Sequence, residues 1–326
     1  MKRRGFLGCV IAVPAINGIE GAFAAGDATA RIGWITAQSQ ASLAANIRAF
    51  RAGLSEFGYA EGRNLSLSLR YGDDIPGRVP QLLAETLQEK VDIVVAQGNA
   101  AFEIRMVGSP VPTVYIMSAD PVSAGFATDL AHPTGNMTGV TLMAIELLGK
   151  RMEILREIKP DLARIAVLGN PEHPGANLER GFSEETARRL GFAIDYYPTP
   201  TVAALDRALA AMQTSPPQAF SLLADGFAVQ YRQKIIDFAT SLRAPVISGW
   251  PVFARSGAVC TYGPRQSESY RRLAYLASRV LGGTKPEDLP VERPTTFELV
   301  VNVKAARGLG LTLPPTLVAR ADEVIE

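Results

Sequence analysis

Short apolar runs alternate with amphipathic helical patterns along the chain, and one combination of the two occurs twice. The apolar run Arg31–Ile35 leads into a helical pattern that stops at Gly58, and Arg164–Leu168 leads into one that stops at Gly191. A second apolar run follows each glycine, Leu65–Tyr71 in the first copy and Ala193–Pro198 in the second. Such runs predict buried strands and the 3.6-residue period predicts helices, so the chain is predicted to contain two similar α/β lobes.

The remaining pattern continues the alternation of strand and helix. The first lobe has predicted strands at Arg31–Thr36, Leu65–Tyr71, Val91–Gln97 and Pro112–Ser118, with helices that start near Ser42, Pro80 and Ala100. The second has strands at Arg164–Leu168, Ala193–Pro198, Gln218–Ala224 and Pro245–Ser248, with helices at Glu146–Ile158, Leu178–Leu190, Val202–Met212 and Val229–Leu242. Alternation of this kind is typical of parallel sheets covered on both faces, so the predicted fold class is α/β with two doubly wound parallel-sheet lobes.

Three segments are predicted to connect the lobes, which would make a three-strand hinge. The first predicted connection is the turn-rich segment Ala131–Gly139, which separates the two copies. The second lies at Tyr262, before a predicted helix at Ser269–Leu281, and the third is the extended stretch Leu289–Asn302. The expected boundaries are residues 30–141 with 262–297 for lobe 1, and 142–261 with 298–326 for lobe 2. A hinge of this kind suits closure around a ligand.

The N-terminus has the order of segments that is typical of an export signal. Lys2, Arg3 and Arg4 precede an apolar stretch from Cys9 to Ile19, and small residues follow up to Ala25. The paired arginines resemble the twin-arginine version of such a signal, and cleavage is expected near Ala24 or Ala25, which would remove residues 1–24. The apolar stretch is shorter than the ~20 residues that span a bilayer, so an export signal is favoured over a membrane anchor.

Charge and cysteine content narrow the function classes. The chain has 33 basic and 32 acidic residues, and removal of Lys2, Arg3, Arg4 and Glu20 leaves 30 and 31. A nearly neutral chain gives no electrostatic indication of nucleic-acid or membrane-surface binding. Cys260 is the single cysteine beyond the signal, so no internal disulfide is expected.

Motifs spread over the whole exported part resemble one family. Asp120-Pro121-Val122, Gly135-Asn136 with Thr138-Gly139, Tyr262-Gly263-Pro264 and the stretch from Lys285 to Glu326 are similar to the substrate-binding proteins of the ABC-transporter family that contains tryptophan and phenylalanine receptors. The sequence departs from that family at Thr134, where glycine is usual, and at Gly226, where proline is common. The resemblance implies a type I periplasmic-binding fold, a small-molecule solute, a permease in the inner membrane as partner and a periplasmic location. It does not fix the solute, because similar folds carry different sites.

Polar residues that follow the predicted strands are the candidate ligand-binding groups, because parallel sheets bind ligands at the carboxyl ends of their strands. Gln38, Ser39, Gln97, Gly98, Asn99, Ser118 and Asp120 follow strands of lobe 1, and Asn170 and Asp225 follow strands of lobe 2. The start of the helix after Gly98 could attract a carboxylate, although an ordinary Asn-capped helix start is the alternative. Asp225 is the first choice of partner for a ligand ammonium, whereas Asp120 could instead cap Val122-Ser123 or hold the hinge in place.

Aromatic residues could supply an apolar wall. Trp250, Phe227 and Phe126 are candidates, while the pattern around Gly33 places Trp34 in the core instead. Tyr262 lies at a predicted crossing and could bond either the ligand or the hinge.

No pattern for catalysis, a cofactor or a metal is recognisable. His132 and His173 lack acidic or cysteine neighbours at ligand spacing, and the sequence has no Gly-x-Ser-x-Gly elbow, Walker loop or dinucleotide fingerprint. The sequence therefore predicts a monomeric, exported solute receptor without a cofactor, a metal or catalytic residues. Two alternatives stay open: an exported α/β enzyme and a solute sensor for a membrane kinase. A DNA-binding repressor is disfavoured because the first strand directly follows the signal.

Overall fold

A computed structural model describes residues 29–40, 43–73, 75–142, 145–173, 175–223 and 225–326. The export signal predicted for residues 1–24, the helix start near Ser42 and the strand end at Ala224 lie outside these residues. Among the described residues, no helix is long and apolar enough to cross a bilayer.

The first lobe is built on a five-stranded parallel sheet. Its elements are β1 (Ala30–Thr36), α1 (Ala44–Glu56), β2 (Leu65–Tyr71), α2 (Arg78–Gln88), β3 (Ile93–Gln97), α3 (Ala100–Val107), β4 (Thr113–Met117), a hairpin of β5 (Ala127–Asp129) and β6 (His132–Pro133), and β7 (Met137–Thr141). The strand order is β2-β1-β3-β4-β7, and every neighbouring pair is parallel.

The second lobe is built on a seven-stranded sheet. Its elements up to the second crossing are α4 (Glu146–Ile158), β8 (Arg164–Gly169), α5 (Ala176–Leu190), β9 (Ala193–Pro198), α6 (Val202–Thr214), β10 (Phe220–Leu222), α7 (Gly226–Gln230), α8 (Arg232–Ser241), β11 (Val246–Ser248), α9 (Pro251–Arg255) and β12 (Cys260–Pro264). After α10 (Gln266–Leu281), which returns to pack on α1 of lobe 1, the chain completes lobe 2 with β13 (Phe297–Asn302), α11 (Val303–Gly308), α12 (Pro315–Ala319) and β14 (Glu323–Ile325). The strand order is β14-β13-β12-β11-β10-β8-β9, and β13 is antiparallel to β12.

The predicted α/β class with two parallel-sheet lobes is confirmed, and the chain passes between the lobes three times: after β7, after β12 and before β13. The second sheet extends to Pro264, so the second crossing starts after Pro264 rather than at Tyr262. The exact lobe boundaries stay a prediction.

The interpretation of Ala131–Gly139 as a crossing is wrong. His132 and Pro133 form β6, and Met137 to Thr141 form a fifth strand that pairs with β4. Gly139 is a packing residue in this strand, because a Cβ there would stand 2.1 Å from the carbonyl oxygen of Tyr115. Its glycine therefore permits a close approach of two backbones, which in sequence looks the same as a turn signal.

Aromatic packing fixes lobe 1 beside the returning helix α10. Trp34 is fully buried, with ring centroids 5.1 Å from Phe50 of α1 and 6.1 Å from Tyr270 of α10. The core position predicted for Trp34 is confirmed. Because Tyr270 also borders the interlobe cleft, this packing fixes α10, the helix after the second crossing, beside the site.

Candidate functional site

A cleft of about 580 Å³ lies between the two sheets, where the carboxyl ends of their strands face each other. Its walls come from the residues after β1, β3 and β4 in lobe 1, after β8, β9, β10 and β11 in lobe 2, and from Tyr270 of α10. The volume lies within the ~300–1,000 Å³ that is usual for small-molecule sites.

Eight of the twelve residues predicted to bind a ligand line this cleft: Gln38, Gln97, Gly98, Asn99, Ser118, Asn170, Phe227 and Trp250. Ser39, Asp120, Asp225 and Tyr262 are not part of its lining. The structure thus brings most of the predicted residues together, while their contact with a ligand stays a prediction.

Two glutamine side chains of lobe 1, Gln38 and Gln97, line the cleft and contact each other. Gln97 Nε2 donates a hydrogen bond to Gln38 Oε1 at 3.2 Å. Gln97 is 8% exposed, and its Oε1 has no hydrogen-bond partner among the described residues. Since a buried carbonyl oxygen without a donor is costly, Gln97 Oε1 is an acceptor suited to a ligand N–H or O–H group.

Gln38 also reaches across to lobe 2. Its Nε2 stands 2.9 Å from the point that a Cβ at Gly226 would occupy. The glycine therefore leaves room for the Gln38 amide against the backbone of α7. Proline, the residue common in the similar family, would compete for that space.

The loop after β3 turns sharply into α3. Gly98 has φ of +63°, which L side chains rarely adopt, and its N–H donates to the carbonyl oxygen of Ile116 at 2.8 Å. The Asn99 side chain makes no capping hydrogen bond within the described chain. The alternative of an Asn-capped helix start is therefore not what the structure has, and the Asn99 amide stays available to the cleft.

Asp225 ends up buried next to the cleft rather than in its lining. Its Oδ1 accepts hydrogen bonds from the N–H groups of Phe227 and Ala228, so it caps α7. The side chain is 6% exposed, and burial raises its pKa to about 6 although the two backbone hydrogen bonds act in the opposite direction. Nothing in the described chain donates to its Oδ2 through a side chain. The negative charge of this buried carboxylate is therefore offset, within the described chain, by only two hydrogen bonds, both to Oδ1.

A serine and a histidine meet across the cleft, and sequence reasoning missed the histidine as a cleft residue. Ser118 Oγ of lobe 1 lies 3.4 Å from Nε2 of His173 in the loop before α5. Burial lowers the pKa of His173 to about 4, so its ring is neutral at pH 7. His173 Nδ1 is buried and has no partner within the described ranges. The only sequence signal was its position in a loop that follows β8, a place shared with Asn170.

The aromatic lining is larger than the sequence indicated. Phe227 and Tyr231 pack with ring centroids 4.6 Å apart, and Trp250 is 9% exposed between the cleft and the core of lobe 2. Phe102 and Tyr270 complete the lining from α3 and α10. Tyr270 comes from a helix far along the chain, so no local pattern could place it here. The predicted wall residue Phe126 is instead fully buried in lobe 1.

Asp120 and Tyr262, two of the predicted residues that do not line the cleft, make local contacts instead. Asp120 Oδ1 accepts a hydrogen bond from the Ser123 N–H at 2.6 Å, which matches the capping alternative, and Asp120 borders a smaller pocket near the hinge with Arg293. Tyr262 lies in β12 with its ring centroid 6.4 Å from Phe297. Tyr262 therefore belongs to the second sheet, two residues before the second crossing starts.

Comparison with known proteins gives consistent results. A family model described as ABC transporter substrate binding protein matches residues 31–325. A curated relative named tyrosine-binding protein, from Clostridioides difficile, is 20% identical over 273 residues, which cover 81% of this chain and 76% of the relative. A Streptococcus pneumonia ABC domain solved in complex with L-Trp has a TM-score of 0.83 at 22% identity, covering 91% of this chain and 100% of the other. A ligand-free, open substrate-binding protein from Clostridium difficile has a TM-score of 0.68 at 19% identity, covering 91% and 99%.

Proposed function

The chain belongs to the family of ABC transporter substrate-binding proteins, and we propose that its cleft closes on an α-amino acid with an aromatic or other apolar side chain. It is a solute-binding receptor with a small-molecule ligand and an ABC permease as partner. Beyond the family, the class of solute and the residues that hold the solute are our proposal.

The observation that carries the proposal is the presence of both amide and aromatic side chains in the cleft lining. Gln38, Gln97 and Asn99 present amides, while Phe227 and Trp250 present rings. An amino acid has a polar end that needs several hydrogen bonds and a side chain that gains from contact with apolar surface. The names of the similar proteins, one tyrosine-binding and one solved with L-Trp, support this class.

Asp225 is proposed as the partner of the ligand ammonium. Burial raises the pKa of Glu179 of α5 to about 7, and the nearby charge of Asp225 acts in the same direction. A ligand ammonium close to both would favour their ionised forms, so binding would recover part of what their burial costs. For Asp225 to act this way, its Oδ2 must reach the ligand while its Oδ1 continues to cap α7.

The receptor is proposed to release its solute unchanged. The contact of Ser118 with His173 is the arrangement closest to a nucleophile and base in the cleft, but 3.4 Å is long for an activating hydrogen bond. His173 Nδ1 also lacks, among the described residues, the acid that orients the histidine in such pairs. The contact instead joins the two lobes, which suits closure. Recovery of a chemically altered solute by mass spectrometry after incubation would contradict this assignment.

We also propose that the receptor is exported to the periplasm as a monomer after removal of residues 1–24. The order of basic, apolar and small residues at the N-terminus supports export. The lobe boundaries given above and a role in transport rather than in sensing belong to the same proposal. Mass measurement of the secreted chain tests the cleavage site near Ala24 or Ala25.

A thermal-shift screen of residues 26–326 tests the solute class. The panel contains aromatic, aliphatic and charged amino acids, short peptides, sugars and polyamines. A ligand present at about 100 times its dissociation constant adds ~2.7 kcal/mol of stability, which is readily measured. We expect shifts confined to apolar amino acids; a shift confined to sugars or polyamines would refute the assignment.

A further inference from the structure

Arg151 of α4 is a buried cation without a partner among the described residues. The residue is 4% exposed, and it donates no hydrogen bond and forms no ion pair within the described part of the chain. Its Nε is fully enclosed and unsatisfied. Burial lowers its pKa to about 10, the direction expected when a charge loses its water. Burial of a guanidinium without a hydrogen-bond acceptor costs folding free energy, unless an acceptor from outside the chain pairs with it.

The acid that acts electrostatically on Arg151 does not form an ion pair with it. This acid is Glu179, which is 5% exposed on the first turn of α5. Because burial raises the pKa of Glu179 to about 7, this acid is only partly ionised at neutral pH. Glu179 therefore offsets the charge of Arg151 only in part.

The guanidinium packs against the residues that follow β11 of the second sheet, behind the cleft lining rather than in it. Arg151 Nη1 stands 2.5 Å from the point where a Cβ at Gly249 would be, directly after β11 and next to the cleft residue Trp250. A Cβ at Gly263 of β12 would in turn collide with the carbonyl oxygen of Gly249. The glycine at position 249 thus leaves room for the guanidinium beside the backbone that leads into the cleft residue Trp250.

From these observations we infer that Arg151 binds the carboxylate of the solute. The inference rests on the proposed function and names the group that recognises one end of the amino acid. Guanidinium is the side chain best matched to a carboxylate, because its planar N–H groups can pair with both oxygens. With Asp225 after the neighbouring strand β10, lobe 2 would offer opposite charges to the two ends of a zwitterion.

Two alternatives lead to different expectations. Buried waters could complete the hydrogen bonds of Arg151. The start of α3 in lobe 1 could hold the carboxylate instead. In both cases the replacement of Arg151 would not change the preference for a carboxylate over a neutral amide.

The test compares L-tryptophan with L-tryptophanamide, and L-tyrosine with L-tyrosinamide, by calorimetry on the mature chain. We expect the wild-type protein to favour each acid over its amide, and Arg151→Met to reduce this ratio by about 10- to 100-fold, the range for a charged hydrogen bond. Arg151→Lys keeps the charge but loses the planar pair and should retain part of the ratio. The matched control is Arg156→Met on the same helix, since Arg156 donates to backbone carbonyls of Pro160 and Leu190 and should leave the ratio unchanged.

The outcomes separate this inference from the proposed function. If the wild type binds the acids and Arg151→Met has an unchanged ratio, Arg151 is not the carboxylate partner although the solute class stands. If the wild type binds no carboxylate-bearing compound, both proposals fail together. If Arg151→Met does not fold, Arg151→Lys is used instead. An acid-to-amide affinity ratio equal to that of the wild type in this variant would contradict the pairing of the guanidinium with both carboxylate oxygens.

Discussion

Replacement of Asp225 by asparagine should make the ligand-free protein more stable and at the same time make it a weaker receptor. The pKa of this carboxyl stands at about 6 instead of 3.8, mainly because of burial. Since one pKa unit equals ~1.36 kcal/mol, the ionised side chain costs the folded protein roughly 3 kcal/mol at neutral pH. Asparagine removes this cost and keeps the cap of α7, because its side-chain oxygen can accept the same N–H groups.

The sign of the pH dependence follows from the raised pKa. The folded protein holds the proton of Asp225 more tightly than the unfolded chain, so this residue's contribution to stability is fully present below pH 3.8 and is lost as the pH rises through about 6. Asp225→Asn should lack this loss. Asp225→Ala should also lack it but should be less stable than the asparagine variant by ~1 kcal/mol, because the cap is gone.

The assay is thermal and urea unfolding of the mature chain at pH 5 and pH 8, with and without the solute identified by the screen. At pH 8 the ligand-free Asp225→Asn variant should gain up to ~3 kcal/mol, while its affinity should fall by at least ~1.5 kcal/mol. Asp206→Asn is the control, since Asp206 pairs with Lys234 on the surface and should change little. Loss of stability at pH 8 in Asp225→Asn, or unchanged affinity, would refute the reasoning.

Three further replacements test other features of the molecule. Trp250→Ala should weaken an aromatic or aliphatic solute in calorimetry by removing the wall of lobe 2, whereas full affinity would place Trp250 outside the site. Gly139→Ala should lower the free energy of unfolding by ~1–3 kcal/mol or more, because the new Cβ would collide with the backbone of Tyr115. The control Gly181→Ala on α5 has open space around it and should not destabilise the protein. Equal effects of the two replacements would contradict the close approach at Gly139. The wild type should lose stability as the pH falls from 6.5 toward about 4, because the buried ring of His173 resists protonation. His173→Asn should lack this loss. Identical pH profiles of the two proteins would show that His173 does not titrate in this way.

The alternation of strand and helix could be predicted from sequence because apolar periodicity is local, and it placed the strand ends where Gln38, Gln97 and Asn170 now line the cleft. The strand β7 was missed because Gly139 permits a close backbone approach that sequence cannot distinguish from a turn. His173 and Arg151 were missed for a different reason. Their positions depend on how a loop and a helix pack on the second sheet, and the one local signal was that His173 shares the loop after β8 with Asn170.

Asp225 shows a third kind of limit. Its position after β10 was predictable, but its role as the cap of α7 and its burial depend on how the chain around it packs. Sequence identifies such a residue as a candidate, while only the packed structure shows that one of its oxygens is already committed.

A crystal structure of residues 26–326 grown with L-tryptophan would test the proposed solute class and its binding residues most directly. We expect electron density for the solute between the amides of Gln97 and Asn99 and the rings of Phe227 and Trp250, with its carboxylate toward Arg151. Density at another surface, or an empty cleft at a concentration where calorimetry shows full binding, would contradict the proposal.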